Sequence, residues 1–201
     1  MDAILKGLIS GITISVLIGP IFIALVDITI SKGWRSSLFY VLGIIISDLI
    51  LIAFLNQLLQ YFPFEQYKVY IGWIGGVVLL FFGLITFFSN SSIVHADIRD
   101  IKTYFGAFIK GITINILNPF VVLWWIGIQT TLISFSYSNM EKSAYYSALL
   151  SMVFLFDLLK IRFAYFIKNR LTIEKLSIVK RIAGVCLFVF GILMIIRMLV
   201  Y

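Results

Sequence analysis

Six long apolar runs fill most of the chain, at about 4–30, 37–60, 69–89, 105–133, 143–167 and 180–200. Short stretches richer in Lys, Arg, Asp and Glu separate them. Each run reaches the roughly 20 residues needed to span a hydrocarbon core about 30 Å thick. The pattern therefore predicts an all-α integral membrane protein with six transmembrane helices.

The pattern also repeats. Residues 11–20 read GITISVLIGP and residues 111–119 read GITINILNP, so Gly11, Ile12, Thr13 and Ile14 return as Gly111, Ile112, Thr113 and Ile114, and Pro20 answers to Pro119. In the third and sixth runs Gly76 and Gly83 match Gly184 and Gly191. In the second and fifth, Asp48-Leu49-Ile50 matches Asp157-Leu158-Leu159. The predicted organisation is a single transporter domain over 1–201, built from pseudo-repeats at 1–92 and 104–201. Each repeat holds three helices, an odd number, so the second must enter the membrane upside down relative to the first. Inverted three-helix repeats are the architecture of many secondary transporters. Proline has no amide hydrogen and clashes with the preceding turn, so helices 1 and 4 are expected to break at Gly19-Pro20 and Asn118-Pro119. Broken backbone at membrane depth is tolerated where protein or a water-filled cavity satisfies the freed groups. Two breaks in matching places therefore point to one central site.

Composition narrows the class. With 62% hydrophobic and 12% charged residues, a soluble domain would have too little polar surface. The net charge of +7 would suggest nucleic acid as the partner of a soluble protein; here it suits loops that face anionic lipid, and no nucleic-acid partner is expected. Nine Lys and Arg fall in loops 1–2, 3–4 and 5–6, among them Lys32, Arg35, Arg99, Lys168 and Lys175, against four on the other side, Lys6, Lys68, Lys142 and Arg197. This bias predicts a multi-pass protein of the inner cell membrane with those three loops cytoplasmic and both termini outside. The first run lacks a basic start and a small-residue cleavage site, so it is expected to be a retained helix. A single cysteine, Cys186, rules out an intrachain disulfide and a two-cysteine redox relay. A single histidine, His95, in the polar segment 90–104 offers no companion ligands for a metal. No nucleophile–histidine set or phosphate loop is visible, so neither an enzyme nor a cofactor is expected.

The polar residues inside the runs are the candidates for chemistry. Asp48 lies about twelve residues from either end of its run, near the midplane at ~1.5 Å per residue. A carboxylate there costs about 2.5–3.5 kcal/mol on insertion scales, so it should face the bundle interior. It reads either as a polar lock between helices or as a substrate or proton site. Asp157 and Lys160 stand three apart on one helical face; they read either as an internal ion pair only or as a pair in which Asp157 is also a second substrate or proton site. Asn115 joins the list, and Asn118, beside the break, can bond freed backbone groups or a ligand.

A small-residue helix ending in Gly19-Pro20, a Gly43-x4-Asp48 helix and an Asn118-Pro119 helix, in this order and over a chain of this size, resemble the LysE/RhtB family of amino-acid exporters. The resemblance covers essentially the whole chain. It implies export of amino acids or similar small metabolites from the cytoplasm, driven by the proton gradient, and it carries Gly19, Pro20, Asp48, Asn118 and Pro119 over as site residues. The family's first motif commonly reads Pro-Gly-Pro, whereas this chain has Ile18-Gly19-Pro20. The alternative function is a metal-ion or other small-cation exporter, which would want His and carboxylate clusters. Which substrate moves, which ion couples, and whether the working unit is a monomer or a homodimer stay open at this stage.

Overall fold

A computed structural model describes residues 2–16, 19–61, 64–88, 104–167 and 173–200. All the regular structure in them is helical: α1 (Asp2–Val16), α2 (Pro20–Lys32), α3 (Trp34–Tyr61), α4 (Phe64–Phe88), α5 (Tyr104–Ile116), α6 (Pro119–Ser134), α7 (Asn139–Ile167) and α8 (Ile173–Leu199). His95 and most of segment 90–104, with Lys168 and Arg170, lie outside the described residues.

Stretches of α3, α4 and α8, at Trp34–Leu59, Val69–Phe88 and Arg181–Leu199, are each long and apolar enough to cross a membrane. The pairs α1–α2 and α5–α6 qualify only when each is taken as one bent span. The bends are 69° and 65°, and each coincides with a proline at the start of the second helix. One proline per break is thus enough to turn the chain sharply. The 29-residue α7 covers the fifth expected run but is not among these spans. It is the least apolar of the eight helices and carries Asp157, Lys160 and Arg162. Between α2 and α3 the chain turns at Gly33, whose φ of 84° is the left-handed conformation that favours glycine.

The chain is arranged as a membrane protein should be, with apolar residues outward. Ile74, Phe81, Phe88, Val189 and Leu193 on α4 and α8 are exposed, while Ser15, Ser37, Ser47, Asp48, Asn115, Gln129 and Asp157 are buried. Two apolar clusters flank this polar interior. One gathers Leu51, Leu55, Trp125, Leu132, Tyr145 and Leu149. The other gathers Leu25, Ile28, Tyr40, Val41 and Ile161.

Three helix pairs make the most extensive contacts: α1 with α7, α3 with α5, and α4 with α8. Glycine sets each close approach, as expected where small residues let helices pack backbone to backbone. A Cβ on Gly11 would stand 2.6 Å from Leu149 O, and one on Gly111 would run into Tyr40 O. Between α4 and α8, a Cβ on Gly191 would lie 2.8 Å from Gly76 O and one on Gly83 would lie 2.9 Å from Gly184 O.

Candidate functional site

The two breaks bring the polar candidates together. α5 closes with Leu117 N–H on Thr113 O at 3.0 Å and Asn118 N–H on Asn115 O at 3.2 Å. Asn118 then caps α6: its Oδ1 accepts from Phe120 N–H at 3.1 Å, satisfying one of the four amides that a helix start leaves free. The other break is built differently. Gly19 is the N-cap of α2 in extended backbone, with φ −151° and ψ −171°, and brings no side-chain cap. Tyr40 on α3 steadies the first turn of α2 by donating its hydroxyl to Ile21 O at 3.2 Å.

Asp48 is 5% exposed. Its Oδ1 accepts from Asn115 Nδ2 at 2.7 Å and from Trp125 Nε1 at 2.9 Å. Asn115 Nδ2 also approaches Ser47 Oγ at 2.9 Å and Ile44 O at 3.4 Å. Helices α3, α5 and α6 are therefore tied together at one carboxylate. Among the described residues no Lys or Arg pairs with Asp48; both of its donors are neutral. Asp157 is 4% exposed and has a different neighbour, with Lys160 Nζ 2.8 Å from its Oδ1.

All these groups meet at a cavity of about 80 Å³. Its wall takes Ser15 from α1, Gly19 and Pro20 from the first break, Asp48 from α3, and Asn115 and Asn118 from the second break. Asp157 and Lys160 come from α7, and Cys186 from α8. Pro119 is not among the lining residues; it acts on the site by ending α5 and starting α6. The volume is well below the ~300–1,000 Å³ of drug-sized ligand pockets and suits a few waters or a small solute. Among the described residues, no group of three or more His, Cys, Asp or Glu gathers as a metal cage would require.

Two contributors went unlisted as site residues at the sequence level. Trp125 was visible as half of Trp124-Trp125, and an indole N–H deep in an apolar run needs an acceptor. Ser15 read only as one more small residue on α1. In the structure it is 4% exposed, lines the cavity, and among the described residues its Oγ has no hydrogen-bond partner.

The model of the family "LysE type translocator" matches residues 12–198. A relative from Bacillus subtilis (strain 168), "Putative amino acid efflux protein YcgF", is 25% identical over 198 residues, covering 95% of this chain and 94% of its own. No solved structure matches the chain. The family match runs through both helix breaks and every group that lines the cavity, so the chain belongs to the LysE-type translocators and is a multi-pass membrane transporter of small metabolites rather than an enzyme.

Proposed function

We propose that this transporter exports amino acids from the cytoplasm, coupled to the proton gradient, with Asp48 as the group that exchanges a proton for the substrate's ammonium. The observation that carries this reading is the state of Asp48. A buried carboxylate near the midplane is costly, and among the described residues only neutral donors bond to it. A proton or a substrate ammonium would each supply the missing positive charge, and the two cannot do so at once. That competition is the essence of coupled exchange. Asp157 already has Lys160 beside it, so it has less need of either. The amino-acid efflux description carried by the Bacillus relative points the same way.

The mechanism is alternating access between two inverted three-helix repeats, 1–92 and 104–201, with α1–α2, α3, α4, α5–α6, α7 and α8 as the six crossings. The supporting observation is that the same contact occurs twice. Gly11 meets Leu149, and Gly111 meets Tyr40; under the sequence match Gly11 answers to Gly111, and Tyr40, eight residues before Asp48, answers to Leu149, eight before Asp157. The Gly76–Gly191 contact likewise answers to Gly83–Gly184. The charge bias then puts loops 1–2, 3–4 and 5–6 in the cytoplasm and both termini outside the inner membrane.

The test is an export assay. Cells overproducing the protein are loaded with dipeptides, and the free amino acids that accumulate outside are identified. Asp48→Asn keeps an oxygen to accept from Asn115 and Trp125 but removes the titratable charge. It is expected to insert and fold normally and to lose gradient-driven export. Export at the normal rate and with the normal pH dependence would make Asp48 a structural lock.

A further inference from the structure

The two breaks are alike in sequence but unequal in hydrogen bonding. Ser15 holds the place in GITIS that Asn115 holds in GITIN, and Gly19 precedes Pro20 as Asn118 precedes Pro119. On the second-half side both positions are satisfied: Asn115 bonds to Asp48, and Asn118 caps Phe120. On the first-half side neither is. The Ser15 side chain is shorter than that of asparagine and its Oγ is buried without a partner among the described residues, while α2 starts at a glycine with no side-chain cap. Both open positions line the same cavity, as do Ile21 and Phe22 of the first turn of α2.

The geometry points to a carboxylate seat at the first-half break, formed by the Ser15 hydroxyl and the Ile21 and Phe22 amides at the start of α2. This rests on the export reading above and deepens it: the substrate is an α-amino acid recognised by its carboxylate, not simply a cation attracted to Asp48. The chemistry follows from the groups present. A hydroxyl and the N–H groups of a helix start are donors, and the positive end of the helix dipole favours an anion. Pro20 contributes no N–H, and Ile23 N–H is already bonded to Gly19 O at 3.2 Å; among the described residues the Ile21 and Phe22 amides have no acceptor, and these two are the seat's donors. Lys160 adds a positive charge to the same cavity wall. Asp48, also on that wall, is the counterpart for the ammonium. At the second-half break Asn118 Oδ1 already takes the Phe120 N–H and Asn118 O takes those of Val121 and Val122, so no helix-start amide is left there for an anion. Substrate is therefore held off the pseudo-symmetry axis, toward α1, α2 and α7.

The decisive variant is Gly19→Asn. It installs at the first break the cap that Asn118 supplies at the second. A Cβ at Gly19 meets nothing within 4 Å, and its backbone is extended, so the side chain fits and can accept from Ile21 N–H. Purified protein in detergent is titrated calorimetrically with three mixtures: the proteinogenic L-amino acids, their α-carboxamides, and the matching 2-hydroxy acids. Wild type is expected to bind the amino acids and to bind the carboxamides at least about tenfold more weakly, the step that about 1.4 kcal/mol makes. Gly19→Asn is expected to unfold at the same or a higher temperature while losing at least about tenfold in amino-acid affinity; a purely structural glycine would not split the two readouts that way. Ser15→Ala is expected to weaken amino-acid binding more than carboxamide binding, because a hydrogen bond to the charged carboxylate is the stronger one. Wild-type affinity in Gly19→Asn overturns the seat; if that variant does not fold, wild-type affinity in Ser15→Ala overturns it instead. Carboxamides bound as tightly as the acids would overturn the seat and leave amino-acid export standing. Hydroxy acids bound where amino acids are not would keep the seat and overturn the amino-acid reading. Failure of both carboxylate mixtures to bind overturns the seat outright.

Discussion

Gly111→Ala and Gly127→Ala are the same chemical change in neighbouring helices, and they are predicted to move stability in opposite directions. Alanine is favoured over glycine inside a helix by up to about 1 kcal/mol. At Gly127 on α6 the added methyl meets nothing within 4 Å, so that gain is kept and the variant should be stabilised by about 0.5–1 kcal/mol. At Gly111 on α5 the methyl collides with Tyr40 O and lies 3.2 Å from Gly43 Cα on α3. Both obstacles are backbone and cannot rotate away, so the two helices must move apart. Overpacking of this kind costs about 1–3 kcal/mol, and separation also strips the dispersion contacts along the shared face. Set against the propensity gain, the net should be a loss of about 1–2 kcal/mol. Gly11→Ala should behave like Gly111→Ala, because its methyl would stand 2.6 Å from Leu149 O and 2.7 Å from Met152 Cβ. The measurement is unfolding of the purified protein in mixed micelles by titration with a denaturing detergent, followed by circular dichroism. If Gly111→Ala were as stable as Gly127→Ala, the close α3–α5 approach would not be what holds that pair together.

Four further predictions address the site, the topology and one helix start. Trp125→Phe removes a donor to Asp48 Oδ1 and should cost about 1.5–3 kcal/mol in the same unfolding assay; no loss would mean that the bond contributes nothing to stability. Asp157→Asn and Lys160→Met should each lower the yield of folded protein: Lys160→Met leaves the buried Asp157 carboxylate unpaired at about 3–5 kcal/mol, and Asp157→Asn leaves the part-buried Lys160 ammonium unpaired at a smaller cost. The double variant should recover yield but not export, and full export by it would refute a functional role for Asp157. In a Cys186→Ala background, a cysteine at Ser92 should be labelled from the cytoplasmic side and one at Tyr201 from outside; labelling of the latter only from the cytoplasm would sink the six-crossing inverted repeat. Outside the spans, Glu141 Oε2 accepts from Ser138 Oγ at 2.7 Å and Ser138 N–H at 2.9 Å, which holds its carboxyl below the usual range. Such a lowered group stabilises the folded state above the ordinary carboxyl pKa and loses that effect as pH falls through its own. Ser138→Ala should raise it, as read by NMR titration of the Glu141 side chain; an unchanged titration would show that the cap does not set it.

What the sequence made legible was local or repetitive. Apolar runs, the two proline breaks and the i,i+3 spacing of Asp157 and Lys160 all depend on residues close together in the chain. Proline acts on its own helix whatever surrounds it, so Pro20 and Pro119 marked the breaks without any knowledge of packing. The Asp48 network is another matter: Asn115 and Trp125 lie 67 and 77 residues away, and no periodicity reveals which helix meets which. The glycines of α4 and α8 could be matched to one another in sequence, but that they touch is a three-dimensional fact. Asn118 could be read two ways, and its bond to Phe120 N–H depends on a side-chain rotamer that composition cannot supply. Ser15 was the least visible, because an unpaired hydroxyl is defined by what fails to approach it.

The three close pairs have a consequence for how the protein is made. Each joins a helix from before residue 89 to one from after residue 103: α1 to α7, α3 to α5, α4 to α8. Under the six-crossing reading proposed above, the first three crossings enter the bilayer before the later helices that cover Gly11, Gly43 and Gly76 have been made. On that reading the early half would wait with its glycine faces uncovered and its Asp48 without Asn115 or Trp125. Two separately expressed halves should find each other in the membrane, since nearly all the tight packing lies between them.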